Sequence, residues 1–270
     1  MDDFMKANRD LWDELTPIHE LAESYDVEGF RSGRSTLKPI EVRELGDVSG
    51  KSLLHLQCHF GMDTMSWARL GAFATGVDYS PKAIDLARKL SSELGIKADF
   101  ICCNIYDLQD ILKKEFDIVF TSYGVLTWLP DLNRWAKTVT HFLKPGGVFY
   151  IVEGHPFLQV FDNSNKAADF KVENSYFHQT EPIKWEWEND YSDNKAQIVH
   201  PSYEWSYTIS GVVNSLVNAG LVINFLNEFP ISAYRWSPFT NKKDEHGLWH
   251  IEGDKVPLTF SLMATRPFAR

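Results

Sequence analysis

The stretch Leu53–Ser80 constrains this chain more than any other, because it reads as strand, loop, helix and strand with an acid at the second strand's tip. Leu53-Leu54-His55-Leu56 is a short apolar run, and Gln57-Cys58-His59-Phe60-Gly61 is a loop opening onto a helical pattern. Met65, Ala68 and Leu70 form the buried side of that helix, and Gly71 ends it. Ala74-Thr75-Gly76-Val77 then reads as a second strand, and Asp78 follows it, 17 residues after Gly61. In an open parallel sheet, ligands bind in the crevice beyond the strand ends. A carboxylate there can accept hydrogen bonds from both hydroxyls of a ribose. Each such charge-assisted bond contributes about 1.5–3 kcal/mol, so Asp78 can select for an adenosine-type ligand.

The alternation continues downstream. Strands are predicted near 52–57, 73–78, 98–102, 116–121 and 147–153, and helices near 62–70, 81–94, 105–114 and 131–142. Regular alternation with short connections predicts a doubly wound parallel sheet. Ser80-Pro81 marks a helix start, with a hydroxyl at the cap and proline in the first turn. Lys144-Pro145-Gly146-Gly147 reads as a turn before the fifth strand. Upstream, residues 3–24 read as helical, with Pro17 breaking the helix into two pieces, and Pro39–Leu45 as a second short helix. Tyr25–Leu37 is predicted to cross the mouth of the sheet. From His155 to Tyr207 the alternation of aromatic and polar residues in Trp185-Glu186-Trp187-Glu188 and Tyr203-Glu204-Trp205-Ser206-Tyr207 predicts half-buried strands of an inserted cap, with Asn189–Asn194 as a turn-rich link. Ser210–Ala219 reads as a helix ended by Gly220. Leu221–Phe229 and Pro257–Thr265 read as the last two strands.

At 270 residues, with 44% hydrophobic content, the chain suits one α/β domain with insertions. Its net charge of −10 disfavours a polyanion partner, which would need a basic stripe. Lys113-Lys114 and Lys242-Lys243 are isolated pairs near acids. Three cysteines do not make a disulfide framework. No run approaches the ~18 apolar residues of a spanning helix, and the N-terminal residues lack the apolar core of a signal peptide. A cytoplasmic protein is expected.

Several segments taken together resemble the class I S-adenosylmethionine-dependent methyltransferases. Leu53–Gly61 stands where that family has an acid followed by a glycine-rich loop. Gly76-Val77-Asp78-Tyr79-Ser80-Pro81 resembles its ribose-binding segment, and Phe100-Ile101-Cys102-Cys103-Asn104-Ile105-Tyr106-Asp107-Leu108 the segment that holds the adenine. Phe116–Ser122 resembles the fourth strand, and Leu143-Lys144-Pro145-Gly146-Gly147 the turn before the fifth. The first loop departs from the pattern: His55, Gln57 and His59 stand where an acid and two glycines are usual, and only Gly61 survives. Glycine permits unusual backbone angles and close approach to a ligand, so Gln57 and His59 are expected to reshape the methionine end of the pocket. The resemblance implies a Rossmann-like seven-stranded mixed sheet with an antiparallel last strand, carrying an inserted aromatic-rich cap. It implies a division into 1–45 (helices covering the cofactor site), 46–154 with 208–270 (the cofactor-binding domain) and 155–207 (a substrate cap).

By the same resemblance the cofactor is S-adenosyl-L-methionine. Gln57, Cys58, His59, Gly61 and Ser122 would meet its methionine end, Asp78 and Ser80 its ribose, and Tyr79, Asn104, Ile105 and Tyr106 its adenine. Tyr25 would close over it. Asp78 is alternatively a loop or capping acid, Tyr79 a packing residue, and Asn104 a turn amide. His155, after the fifth strand and near Glu153, and Tyr123, just past the fourth, are the catalytic candidates; a positioned imidazole can take a proton from an attacking group. His155 is otherwise a solvated or turn-bonded histidine. His55, Cys58 and His59 do not make a metal site: His55 lies within a strand, and no second ligand pair follows at zinc spacing. Tyr176, Phe177, Trp185, Trp187, Tyr203, Trp205 and Tyr207 are either a cation-binding cage or the packing of a hairpin.

The expected activity is methyl transfer to a small molecule by in-line displacement. A binding protein for S-adenosylmethionine or S-adenosylhomocysteine without turnover, or a protein methyltransferase, is the alternative. A nicotinamide-dinucleotide fingerprint would read Gln57-x-His59-x-x-Met62 and fails at every glycine. No nucleic acid or membrane partner is expected; the sequence leaves the acceptor and the oligomeric state open.

Overall fold

In the computed structural model, which describes residues 3–161, 170–187, 190, 192, 196–235, 239–245 and 247–268, residues 3–45 carry three helices joined by short connections. These are α1 (Asp3–Leu21), α2 (Val27–Arg31) and α3 (Pro39–Leu45). The alternating core follows as β1 (Ser52–Leu56), α4 (Met62–Arg69), β2 (Phe73–Asp78), α5 (Pro81–Leu94) and β3 (Ala98–Cys102). It continues through α6 (Leu108–Ile111), β4 (Phe116–Ser122), α7 (Leu132–Phe142) and β5 (Leu143–Gly154). The remaining elements are β6 (Ile183–Trp185), β7 (Ser202–Glu204), α8 (Ile209–Asn218), β8 (Val222–Phe229), β9 (Ile231–Ser232), β10 (Thr240–Lys243), β11 (Trp249–Ile251) and β12 (Thr259–Thr265).

Seven strands form one sheet in the order β3-β2-β1-β4-β5-β12-β8. The pairings from β3 to β5 are parallel, and β12 runs antiparallel to both β5 and β8. Every residue of β1 is buried, which is why its sequence is a continuous apolar run rather than an alternating one. Alternate residues serve opposite faces: Leu53 packs with Leu45, Trp67 and Phe120, while Leu54 and Leu56 pack with Trp135, Phe149 and Leu216. Helices α3, α4 and α5 cover one face, and α7 and α8 the other. Ser80 caps α5 by accepting from the Ala83 amide, Asp131 caps α7, and Thr208 caps α8.

Three predicted boundaries are corrected. α1 runs unbroken through Pro17, although an interior proline costs about 3 kcal/mol. Leu11, Leu15 and His19 are buried along one side of the helix, and that packing outweighs the lost bond at the exposed proline. β5 begins at Leu143, which pairs with Phe116, and the ladder resumes at Val148. The expected Lys144–Gly147 turn therefore survives as a bulge inside the strand, with Gly146 at φ 80°. The last two strands do pair, but the chain between them carries a separate three-stranded sheet, β10-β11-β9. Its strands are too short for their period to register in the sequence.

β6 and β7 form the hairpin of the first insertion. Of the turn-rich link 189–194, only residues 190 and 192 lie within the described residues. The hairpin is stitched to α1: Asn8 exchanges two hydrogen bonds with the backbone of Tyr203, at 2.7 and 2.8 Å. Glu14 accepts from the amides of Val199 and His200 and pairs with the His200 ring. No described helix is long and apolar enough to cross a membrane.

Candidate active site

β1 and β4 are neighbours at the point where the strand order reverses, so the loops leaving them diverge and open a crevice. Both loops hold left-handed backbone at bulky residues: Gln57 at φ 57°, His59 at 52° and Tyr123 at 44°. Such positions cost roughly 1–2 kcal/mol each outside glycine, and they gather at functional sites. Polar contacts hold them. Gln57 Nε2 donates to Val125 O at 2.9 Å, joining the two loops. Glu153, buried at the end of β5, accepts from the amides of Gly124, Val125 (2.7 Å) and Leu126 (3.2 Å). Burial raises the Glu153 pKa, against the pull of those amides. Removing the carboxylate in Glu153→Ala leaves two buried amides unpaired, at about 1–3 kcal/mol each. The variant is expected to lose roughly 2–6 kcal/mol of stability, with faster hydrogen exchange at Val125 and Leu126. An unchanged denaturation midpoint would mean that water satisfies them.

Asp78, at the tip of β2, faces the first loop. Its carboxylate accepts from the amides of His59 at 2.7 Å and Ser80 at 2.9 Å. Burial raises its pKa, and those amides oppose the rise. The His59 ring sits among Trp12, His19, Tyr25 and Phe60, with centroids 5.0, 5.2, 5.6 and 4.3 Å away. Burial holds the His59 pKa well below the usual imidazole range, so the ring is neutral. Its Nε2 and the Gln57 Oε1 are buried without a hydrogen-bond partner. Trp12 also meets Trp128 at 5.3 Å, and Trp128 Nε1 donates to Gly124 O at 2.7 Å. α1 and Trp128 thus roof both loops.

On the α3 side lies a second polar group. Tyr123 donates its hydroxyl to Glu41 Oε2 at 2.8 Å. Ser122 donates to Asp63 at 3.2 Å and lies 3.4 Å from His55 Nε2, while His55 Nδ1 contacts Thr64 at 2.9 Å. Burial pushes His55 down to about 4, so it is a neutral bridge between the sheet and α4.

Residues 54–151 match a family model described as a methyltransferase domain. Over that stretch the chain carries a methyltransferase domain, and its likeness is to the class I S-adenosylmethionine-dependent methyltransferases. A ubiquinone biosynthesis O-methyltransferase from Coxiella burnetii is 27% identical over 229 residues, covering 82% of this chain and 90% of that protein. The protein of the same name from Xanthomonas euvesicatoria is 29% identical over 142 residues, covering 51% of this chain. There the match spans only 59% of the relative's length. Among solved structures, an S-adenosylmethionine-dependent methyltransferase from Mesorhizobium loti superposes with a TM-score of 0.61 at 19% identity, over 87% of this chain and all of that one. One from Clostridium acetobutylicum gives a TM-score of 0.57 at 18% identity, over 85% and 89%.

Against this methyltransferase frame, the expected site residues divide. Asp78, Gln57, His59 and Tyr25 gather at the first loop, where Tyr25 stacks on His19 at 4.6 Å and meets Phe60 at 5.3 Å. Gln57 and His59 hold left-handed backbone of the kind that glycine adopts without steric cost. Tyr79 is partly exposed beside them, with the Arg9 guanidinium 5.7 Å from its ring.

Others serve the scaffold. Cys58 is buried, its sulfur 2.8 Å from where a Cβ on Gly76 would stand. Gly61 caps α4, and Phe100 and Ala87 occupy the space a side chain there would need. The Ser80 hydroxyl caps α5 and donates to Asp13. Asn104 Oδ1 accepts from the Tyr106 amide at 3.0 Å, making it a turn amide. Ile105 is buried in the main core, and the Tyr106 hydroxyl is tied to the backbone of Asp131. Ser122 turns toward Asp63 and away from the first loop.

His155 sits at the turn Pro156–Val160: its Nδ1 caps the turn by accepting from the Phe157 amide at 3.1 Å, and its Nε2 lies 2.8 Å from Glu228. The insertion's aromatics do not converge. Tyr203 packs on Phe4 at 4.7 Å, Tyr207 on His178 at 4.6 Å, and Tyr176 on Phe177 at 5.7 Å. Glu41, Glu153 and Trp128 escaped the sequence reading as site residues, since each acts through partners far along the chain.

Proposed function

We propose that this methyltransferase binds S-adenosyl-L-methionine across the first loop and transfers its methyl group to an oxygen of a small-molecule acceptor. The Asp78 carboxylate carries the reading: at the tip of β2, beside the switch point, it accepts from the amides of the adjoining loops and is the acid placed to meet a ribose hydroxyl. The chemistry of the loop fits the rest of the cofactor. Gln57 Oε1 is a buried acceptor suited to an ammonium, His59 Nε2 is a buried ring nitrogen without a partner, and Tyr79 offers an aromatic face. The names of the curated relatives support an oxygen acceptor. Residues 1–45 would cover the cofactor, 46–154 with 208–270 would carry it, and 155–207 would cap the acceptor.

When bound, the sulfonium supplies an activated methyl group. The protein's part is then mostly orientation and exclusion of water, and orientation alone contributes about 7–11 kcal/mol in favourable cases. Trp12, Tyr25 and Trp128 supply the dry roof, and Glu153 fixes the loop against which the acceptor would lie.

Calorimetric titration of the protein with S-adenosylmethionine, S-adenosylhomocysteine and NAD tests the reading. Micromolar affinity for the first two and none for NAD is expected. Silence from both adenosyl ligands would mean that the His59 and Trp12 rings close the crevice for good, and the reading would fall.

A further inference from the structure

Two polar atoms at the first loop are buried with no hydrogen-bond partner, Gln57 Oε1 and His59 Nε2. Leaving such an atom unpaired costs about 1–3 kcal/mol, and both residues also hold left-handed backbone. A phenylalanine would fill the ring's place among Trp12, His19, Tyr25 and Phe60 without the first of these costs. The two groups therefore point to a ligand. The edge of the crevice reaches solvent: Gln57, His59, Asp78 and Trp128 each keep part of their surface exposed, and Gly124 is exposed. The Gln57 amide nitrogen already donates to Val125 O, which leaves Oε1 as an acceptor only. Of the two charged groups of a methionine moiety, it can take the ammonium and not the carboxylate. The carboxylate falls to His59, and among the described residues no lysine or arginine interacts with that ring. Behind it stands a second imidazole, that of the buried His19 on α1, with ring centroids 5.2 Å apart. His19 Nε2 lies 3.2 Å from Oδ2 of Asp190, a buried residue of the insertion. Against the effect of burial, the hydrogen bond from His19 holds the Asp190 carboxyl below its ordinary range, so a charged carboxylate stands in the interior.

We propose that His59 receives the methionine carboxylate of the cofactor as an imidazolium, supported through His19 by Asp190, so that cofactor binding takes up a proton. This rests on the methyltransferase reading above and extends it: the insertion becomes part of the cofactor site as well as a cover for the acceptor. In the free protein burial, with His19 adding to it, keeps His59 well below the usual imidazole range, while Asp190 pulls the other way. A carboxylate beside a buried imidazole favours its charged form. The second proton comes from solvent and stays on the ring, and no bond of the cofactor changes. The titratable groups facing His59 are His19 from α1 and Tyr25 after it, with Asp190 behind His19 and Asp78 of β2 at the His59 amide. Between the ionisation of free His59 and the higher one of the complex, affinity falls about 10-fold per pH unit as pH rises. Above the complex's range the dependence ends, because His59 is neutral in both states.

The test is calorimetric titration of the full chain with S-adenosylhomocysteine in phosphate and in Bis-Tris, both at a single pH just below the ordinary histidine range. The buffers differ in heat of ionisation, so the difference in binding heat counts the protons taken up. Uptake of about one proton is expected. Methylthioadenosine has the same nucleoside and thioether but no amino-acid end, and it is expected to bind with no uptake. His59→Asn keeps a left-handed position that asparagine tolerates and brings no titrating group. It is expected to bind S-adenosylhomocysteine with no uptake and with an affinity that is flat across pH. Asp190→Asn removes the charge behind His19 and is expected to move the fall in affinity to lower pH. Equal uptake with both ligands, no uptake with S-adenosylhomocysteine, or the wild-type pH profile in His59→Asn would each overturn the proposal. The two-ligand comparison needs no variant, so it decides the matter even where a variant fails to fold. The wild-type profile in Asp190→Asn would overturn the insertion's part. Failure to bind S-adenosylhomocysteine at all would instead overturn the methyltransferase reading itself.

Discussion

Asp78→Ala is expected to weaken S-adenosylmethionine binding by about two to four orders of magnitude, the loss of two charge-assisted hydrogen bonds at about 1.5–3 kcal/mol each. The substitution also removes the acceptor for the His59 and Ser80 amides, so part of the effect will come from a loosened loop. Asp78→Asn separates the two contributions, because its amide oxygen can still accept but brings no charge. Calorimetric titration beside a thermal melt is the measurement. Affinity unchanged in a folded Asp78→Ala would remove Asp78 from the ribose. Loss of the fold in both variants would make the carboxylate a brace for the loop.

Gly61→Ala is expected to be strongly destabilising for a change of a single methyl group. A Cβ at this position would lie 2.3 Å from Phe100 Cε1 and 3.2 Å from the Cβ of Ala87, and the residue holds φ 75°. Left-handed backbone costs roughly 1–2 kcal/mol for a residue with a side chain, and overpacking adds about 1–3 kcal/mol. The melting temperature should fall by about 5–15 °C for a domain of this size. Phe100→Leu in the same chain should restore part of the loss by vacating the contact. A melt unchanged in Gly61→Ala would show that Phe100 can swing aside, and Gly61 would then matter only for its nearness to ligand.

Much of the frame was legible because its signals are local. The buried run Leu53–Leu56, the Ser80-Pro81 cap and the period of the following helix each report on a few neighbouring residues, and the structure places β1, β2 and α5 where those signals put them. Asp78 was legible for the same reason: a strand's end fixes where its next residue lies. The β9–β11 sheet was not, since strands of two to four residues carry too little period to stand out. Pro17 misled because a local rule about hydrogen bonding cannot weigh the burial of Leu11 and His19 against a distant part of the chain.

The site divides the same way. Sequence order put Gln57, His59 and Asp78 on the loops of one crevice in a parallel sheet, and the family resemblance implied the seven strands and the antiparallel last one. Neither could tell which side chains face the crevice. Tyr106, Asn104 and Ser80 stand next to the right strands, yet their polar atoms are spent on Asp131, on a turn and on a helix cap. His155 is spent on a capping turn and Glu228. Nor could sequence order bring Glu41 to Tyr123, 82 residues away, or Glu153 to the amides of Gly124–Leu126. Sequence determines an element when the forces that make it act over a few residues. Side-chain direction and the pairing of buried polar groups depend on which surfaces pack together, and only the tertiary structure decided those.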